Sequence, residues 1–390
     1  MYKKLKAIVE TFKGEASRLA FLVAKPFLKQ ERVWLFSESE NQAQENGYTL
    51  YQWVKKHHPE IKSMYVLGKN SPVRSKFNGD SNLLTYATLR QYFYVFKAER
   101  IISTHGLWMI PDGIGLQKKI NRKHLKAKKV MLNHGIGFLK NGIDFYHKSR
   151  FPLNDFIMSL STKHQDIFTQ VYGYNKSEVP IVGYPRFDNM IDKSKSVGMS
   201  EILLMPTFRD KLQKMGGKFS ETELFQRIVD LVVDERMKKL LENSNSRLII
   251  YLHQENQDSS FCFDEYVCKH IAICTQKDFS VTELLTRSKL LITDYSSVLF
   301  DFVYMKKPFI SYQYDRENFL NTRRHKPMIN IKNDLPGEVV DTHEELINCI
   351  ENTVNRHFTL RKEDADAISN FFQYTDRNNC QRVFQFINEI

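Results

Sequence analysis

Glycine and proline are scarce, at 16 and 11 of 390 residues, which sets aside collagen-like, fibrous and low-complexity classes. Cysteine is scarcer. Cys262, Cys268, Cys274, Cys349 and Cys380 make an odd set with no C-x-x-C pair and no His–Cys spacing suited to zinc. Free thiols of a reducing compartment are the expectation. No apolar run approaches the roughly 20 residues of a membrane-crossing helix. The N-terminus carries neither the apolar core nor the small-residue cleavage site of a secretory signal. The expectation is a cytoplasmic protein that is free to touch a membrane.

What is present is a large apolar and aromatic inventory. Hydrophobic residues make up 42%, with 28 Phe and 18 Tyr, enough for a sizeable core in two or three domains. The formal net charge is +12. Such a balance selects anionic partners: nucleic acid, acidic lipid headgroups or a phosphate-rich substrate.

Residues 2–25 read as an amphipathic helix, with Leu5, Ile8, Phe12, Leu19 and Val23 on one face and Pro26 as its stop. Over residues 1–29 seven basic residues stand against Glu10 and Glu15, a net of five positive charges. Two readings fit: a helix lying in the headgroup plane of an anionic membrane, or one packed on the domain with a solvated basic face. A second basic run comprises Lys118, Lys119, Arg122, Lys123, Lys126, Lys128 and Lys129. No nucleic-acid motif accompanies it, so lipid headgroups, a polyphosphate or plain solvent are its expected partners.

Short apolar runs alternate with helical stretches at 32–37, 63–67, 82–86, 100–104, 129–133 and 155–160. The alternation restarts at 179–182, 201–205, 247–252, 270–274, 290–293 and 308–312. Helices are expected at 221–242 and 281–287, and again beyond residue 341. Runs this short and this continuously apolar suit parallel strands covered by helices on both faces. The fold class is α/β, with two Rossmann-like doubly wound domains. The expected boundaries are residues 1–30 for the basic helix, 31–178 for an acceptor- and membrane-side domain, and 179–390 for a donor-binding domain with terminal helices.

Open α/β sheets bind ligands beyond the carboxyl ends of their strands. Polar residues gather there in this sequence. Asn133-His134-Gly135 and His105-Gly106 each follow a strand, and either His suits general-base work near neutral pH. Gly183-Tyr184-Pro185-Arg186-Phe187-Asp188 reads as a tight turn, with an internal Arg–Asp pair as its plain explanation. Pro206-Thr207-Phe208-Arg209-Asp210 brings an arginine suited to bidentate phosphate contact. His253 follows the next strand and can donate to a phosphate oxygen. Thr293-Asp294-Tyr295-Ser296-Ser297 joins a strand to an apolar helix: either a phosphate cradle at a helix N-terminus or an ordinary serine cap.

Taken in order, these segments resemble the CDP-glycerol glycerophosphotransferase family, which includes teichoic acid primases and polymerases. The resemblance runs from about residue 100 onward. It rests on His134-Gly135 with Lys140 and Gly142, on Gly183-Tyr184-Pro185-Arg186 with Asp188, on Pro206-Thr207 with Arg209-Asp210, and on Leu252-His253. It continues through Leu291 to Ser297 with Phe300-Asp301-Phe302, Lys307-Pro308 with Tyr314-Asp315, Leu335-Pro336-Gly337, Glu344-Glu345-Leu346, and Asp376 with Arg382. Asn133, Gln254 and Arg377 depart from the family pattern.

The resemblance implies a GT-B-like fold with two domains facing a cleft, and transfer of a polyol phosphate from CDP-glycerol or CDP-ribitol to a polymeric or lipid-linked acceptor hydroxyl, with release of CMP. Implied roles are His134 as base, with Arg209 and His253 on the pyrophosphate. Pro206, Thr207, Asp294, Ser296 and Ser297 surround the phosphates. Ser280 and Thr282 lie near the nucleotide base. No tightly held cofactor is expected and no carboxylate set is arranged for a metal, though a divalent ion stays open. The expected partners are donor, acceptor and an anionic membrane surface on the cytoplasmic side, with no nucleic acid. Two other readings remain: a glycosyltransferase of the same fold using a nucleotide sugar, and a non-catalytic basic protein that binds membranes or polyanions.

Overall fold

The computed structural model describes residues 2–105, 125–149, 154–209, 219–322 and 326–390. It divides the chain into two compact units. The first holds residues 1–135, 142–189 and 371–390, and the second holds 136–141 and 190–370. In this division the chain passes to the second unit after residue 189, where the sequence expectation set the change at 178/179. The turn after 179–182 packs with the first unit, and the chain returns to that unit at its C-terminal end.

Helix α1 (Tyr2–Ala24) precedes the first sheet. The sheet follows as β1 (Arg32–Ser37), α2 (Asn46–His57), β2 (Ile61–Leu67), β3 (Leu83–Thr85), α3 (Leu89–Lys97), β4 (Arg100–Ser103), β5 (Lys128–Met131) and β6 (Phe156–Ile157). Its strand order is β3-β2-β1-β4-β5-β6, and the pairs are parallel. Val33, Leu35, Met64, Val66 and Ile101 pack as a buried cluster on it. The expected strand at 179–182 is reduced to a single bridge, Ser159 to Ile181.

In the second unit β7 (Ser200–Leu204), α4 (Glu223–Val233), α5 (Glu235–Asn243), β8 (Ser246–Ile250), β9 (Ile271–Ile273) and α6 (Val281–Arg287) come first. Then follow β10 (Leu290–Thr293), α7 (Leu299–Tyr304), β11 (Phe309–Tyr312), β12 (Glu338–Val340) and α8 (His343–Asn355). The order β12-β11-β10-β7-β8-β9 repeats the first sheet's winding, again with parallel pairs. In each sheet the winding reverses beside the first strand, between β1 and β4 and between β7 and β10. A crevice opens at such a point beyond the strand ends. The last helix, α9 (Asn379–Glu389), lies in the first unit, where Phe384 packs on Trp34 and stacks on His58.

Candidate active site

In the first unit the reversal point is built around acids that the strand survey passed over. Glu38 directly follows β1 and is fully buried. Its carboxylate accepts the backbone N–H groups of Gln44 (2.8 Å), Glu45 (2.7 Å) and Tyr48 (2.9 Å), closing the N-terminus of α2. Burial outweighs those three donors and pushes the carboxyl up to about 7. The next turn binds across the sheet: Asn46 Nδ2 donates to the Asn133 carbonyl (2.8 Å), and the Gly47 N–H donates to Thr104 Oγ1 (2.7 Å).

His134 follows β5 on a backbone that Asn133 turns through φ +71°, a left-handed value asparagine tolerates better than most residues. The imidazole is about half exposed, and its Nδ1 stands 3.5 Å from Glu45 Oε2. His105, at the end of β4, stacks on it with ring centroids 4.3 Å apart. Burial, and then the neighbouring His134, push His105 down to about 4, so it is neutral at pH 7. Burial works to raise the Glu45 carboxyl, but its contact with His134 and the charge of Arg186 outweigh it and hold the group below its ordinary range. The structure thus ranks the two histidines that the sequence left equal. His134 is the open one.

The turn at 183–188 is not explained by an Arg–Asp pair. Asp188 accepts the backbone N–H groups of Asn379 (2.8 Å) and Cys380 (2.7 Å) and caps α9. The Arg186 backbone N–H donates to Asn46 Oδ1 (3.0 Å).

In the second unit Pro206 and Thr207 leave β7 beside Asp294, which leaves β10. The Thr207 N–H donates to both Asp294 oxygens (2.9 and 3.1 Å), its hydroxyl donates to Oδ1, and Tyr295 N–H donates to the same oxygen (2.6 Å). Thr293 Oγ1 donates to the Met205 carbonyl (2.6 Å), and Ser311 Oγ to the Asp294 carbonyl (2.6 Å). Arg209 lies among these groups with its side chain 10% exposed. It reaches Asp294 (2.8 Å), Asp315 (2.9 Å) and the Thr207 carbonyl (2.8 Å), with its guanidinium 4.6 Å from the Phe319 ring centroid. Burial pulls its basicity down, but the two carboxylates prevail and raise it above the ordinary range. Asp294 and Asp315 thus direct their carboxylates at Arg209, and Asp294 also at the backbone of the turn.

Ser296 and Ser297 come next, half-buried, and the Val298 N–H donates to Ser296 Oγ at 3.4 Å. The six residues of α7 are all buried, Asp301 among them. His253 ends the β8 segment on the surface. Its Nδ1 accepts the Glu255 N–H (3.3 Å), and its ring lies 5.3 Å from that of Phe208. Ser280 forms a capping box with Glu283 at the start of α6, and Thr282, the second residue of that helix, is exposed. Gly106, Asp210, and Lys118 to Lys123 of the basic run lie outside the described residues. Among the described residues no three His, Cys, Asp or Glu side chains group so as to hold a metal ion.

Residues 18–389 match the family described as CDP-Glycerol:Poly(glycerophosphate) glycerophosphotransferase. The chain belongs to that family. It is 25% identical over 369 residues to the minor teichoic acid biosynthesis protein GgaB of Bacillus subtilis (strain 168), an alignment covering 92% of this chain and 40% of the relative. It is 26% identical over 307 residues to the teichoic acid glycerol-phosphate primase of the same strain, covering 72% and 73%. Against the teichoic acid poly(glycerol phosphate) polymerase of that strain it is 25% identical, covering 91% of this chain and 48% of the relative. The chain thus spans less than half the length of two of these three relatives. A solved structure of the wall teichoic acid polymerase TagF superposes with a TM-score of 0.69 at 18% identity, covering 100% of this chain and 96% of that one. That likeness places the fold in the GT-B-like α/β class.

Proposed function

We propose that the protein transfers a polyol phosphate, glycerol phosphate, from a CDP-activated donor to a hydroxyl of a cell-surface polymer or its lipid-linked precursor. The observation that supports this most, beside the family, is His134: an open imidazole beyond β5 that meets Glu45 and His105, which follow the two strands flanking the winding reversal. In this reading the acceptor oxygen attacks the β-phosphorus of CDP-glycerol in line. A new P–O bond forms, the bond to the CMP oxygen breaks, and His134 takes the hydroxyl proton. Transfer of this kind depends on positioning and electrostatics rather than on covalent intermediates. The first unit supplies the base.

The second unit supplies the groups for the donor phosphates: His253, Ser296, Ser297 and the backbone N–H groups of the 296–298 turn. Pro206, Thr207 and Asp294 shape that turn. Arg209, already shared by two carboxylates, holds it in place. Ser280 and Thr282 lie near the nucleotide base in this assignment, and CDP-ribitol is the alternative donor.

The protein works, in this reading, at the cytoplasmic face of the cell membrane. No helix among the described residues is long and apolar enough to cross a bilayer. Helix α1 instead carries an exposed apolar stripe that includes Phe12 and ends near Phe27, 75% and 87% exposed. Its other face docks on α3: Ser17 Oγ donates to the Leu89 carbonyl and Phe21 meets Phe93 edge-on. Of the two sequence readings of this helix, that arrangement favours the interfacial one.

The test is nucleotide release from CDP-glycerol, CDP-ribitol and several nucleotide sugars, each with a lipid-linked acceptor extract. CMP released from a CDP-polyol only when acceptor is present is expected. His134→Ala should lower that release by about 10²-fold or more while donor binding by calorimetry stays near wild type. Release of a nucleoside diphosphate from a nucleotide sugar would replace the reading with a glycosyltransferase.

A further inference from the structure

Two neighbouring residues in the first unit are bonded across the sheet to the neighbours of two others. Asn46 donates to the carbonyl of Asn133, while Glu45 and His134, the residues next to them, face each other at 3.5 Å. The separation of acid and imidazole is therefore fixed by the backbone on both sides. The Glu45 N–H is held by Glu38 at 2.7 Å, and the His134 N–H by Asn133 Oδ1 at 3.2 Å. Glu45 Oε2 is buried and makes no hydrogen bond, and His134 Nδ1 faces it at ion-pair distance, 3.5 Å.

We propose that Glu45 is the positioning residue of the base. Its carboxylate takes the Nδ1 side of His134, so the proton rests on Nδ1 and Nε2 is left as the unprotonated acceptor. The inference rests on reading His134 as the base. An imidazole has two nitrogens, and the hydrogen bond of one decides what the other can do. The same carboxylate stabilises the imidazolium formed when a proton arrives, as the acid of a Ser-His-Asp triad does for its histidine. His105 supports this from the other side. Being neutral, it backs the ring without opposing the new charge. Among the described residues, the charged groups that act on this pair include Arg186, whose charge joins the His134 contact in keeping Glu45 ionised, and Glu38 behind Glu45. Sequence spacing gives no sign of the pair, because 89 residues separate its members.

The experiment uses the full chain labelled with 15N-histidine. Long-range proton–nitrogen correlation above pH 8 reads the His134 tautomer directly. Wild type is expected to show Nδ1–H alone, and Glu45→Ala to move toward the Nε2–H form that free histidine side chains favour. Beside it, kcat/KM for CMP release is followed against pH. Glu45→Gln keeps the shape and the acceptor oxygen but removes the charge. It should lower kcat on the order of 10²-fold and move the acid limb to lower pH, with KM for CDP-glycerol little changed. Glu45→Asp should recover part of the rate. An unchanged tautomer in Glu45→Ala, or an unmoved limb and normal kcat in Glu45→Gln, overturns the proposal. Normal turnover in His134→Ala would instead remove the base reading, and the tautomer measurement would still judge the Glu45 contact on its own.

Discussion

Arg209 stands between two carboxylates, and that changes what its removal does. An arginine that only touched substrate could be deleted with little effect on the folded chain. Arg209 instead answers the charge of Asp294, which is buried, and of Asp315, and holds the Thr207 carbonyl. Removing one partner of a buried ion pair leaves the other uncompensated, typically at a cost of about 3–5 kcal/mol. Arg209→Ala should therefore lower the unfolding free energy of the chain, read from its denaturation curve, by an amount in that range, and weaken donor binding as a consequence. Arg209→Lys should recover little, because a single ammonium cannot span two carboxylates and a carbonyl. Full stability in Arg209→Ala together with lost donor binding would return the residue to direct phosphate contact.

At the scale of elements, the sequence carried most of the strands because they are buried on both faces and read as unbroken apolar runs. Residues 32–37 and 290–293 are strands to the residue. The 179–182 run is just as apolar yet forms only one bridge, and β12 is too short, at Glu338–Val340, to stand out from its surroundings. The helix expected over 221–242 is two helices. Asp234 breaks it by turning extended and accepting the Arg236 and Met237 N–H groups. The histidines and the Thr207–Asp294 region were legible, since polar residues after apolar strands mark an open α/β sheet. Glu45 was not, because nothing in a lone glutamate before a helix reveals an imidazole 89 residues away.

One turn shows how tightly such elements fit. Gly183 has φ +81°, and a Cβ there would lie 1.8 Å from Asn379 Oδ1 in α9. Gly183→Ala should displace that helix and cost about 2 kcal/mol or more. Hydrogen exchange over residues 379–389 should quicken while that of β7 to β12 stays as it was.

For the whole molecule, the charge of +12 and the outward stripe of α1 point the same way. Burying one phenylalanine side chain contributes about 2 kcal/mol, so the pair Phe12→Asp and Phe27→Asp should weaken vesicle binding at least on the order of 10²-fold. Flotation with vesicles of anionic phospholipid is the measurement. Wild type should rise with them, less so in high salt or with phosphatidylcholine alone. A wild-type chain that stays at the bottom in every case would leave the stripe without a membrane role.

The return of residues 371–390 to the first unit sets an order of events during synthesis. At about 5–20 residues per second, β1 to β6 leave the ribosome roughly ten seconds or more before α9 does. Until then Trp34, Trp53 and His58 lack the Phe384 ring that covers them. Residues 190–370 have no such wait. The half translated later can be complete first, and the half that holds His134 stays unfinished, its aromatic surface open to chaperones, until the last helix emerges.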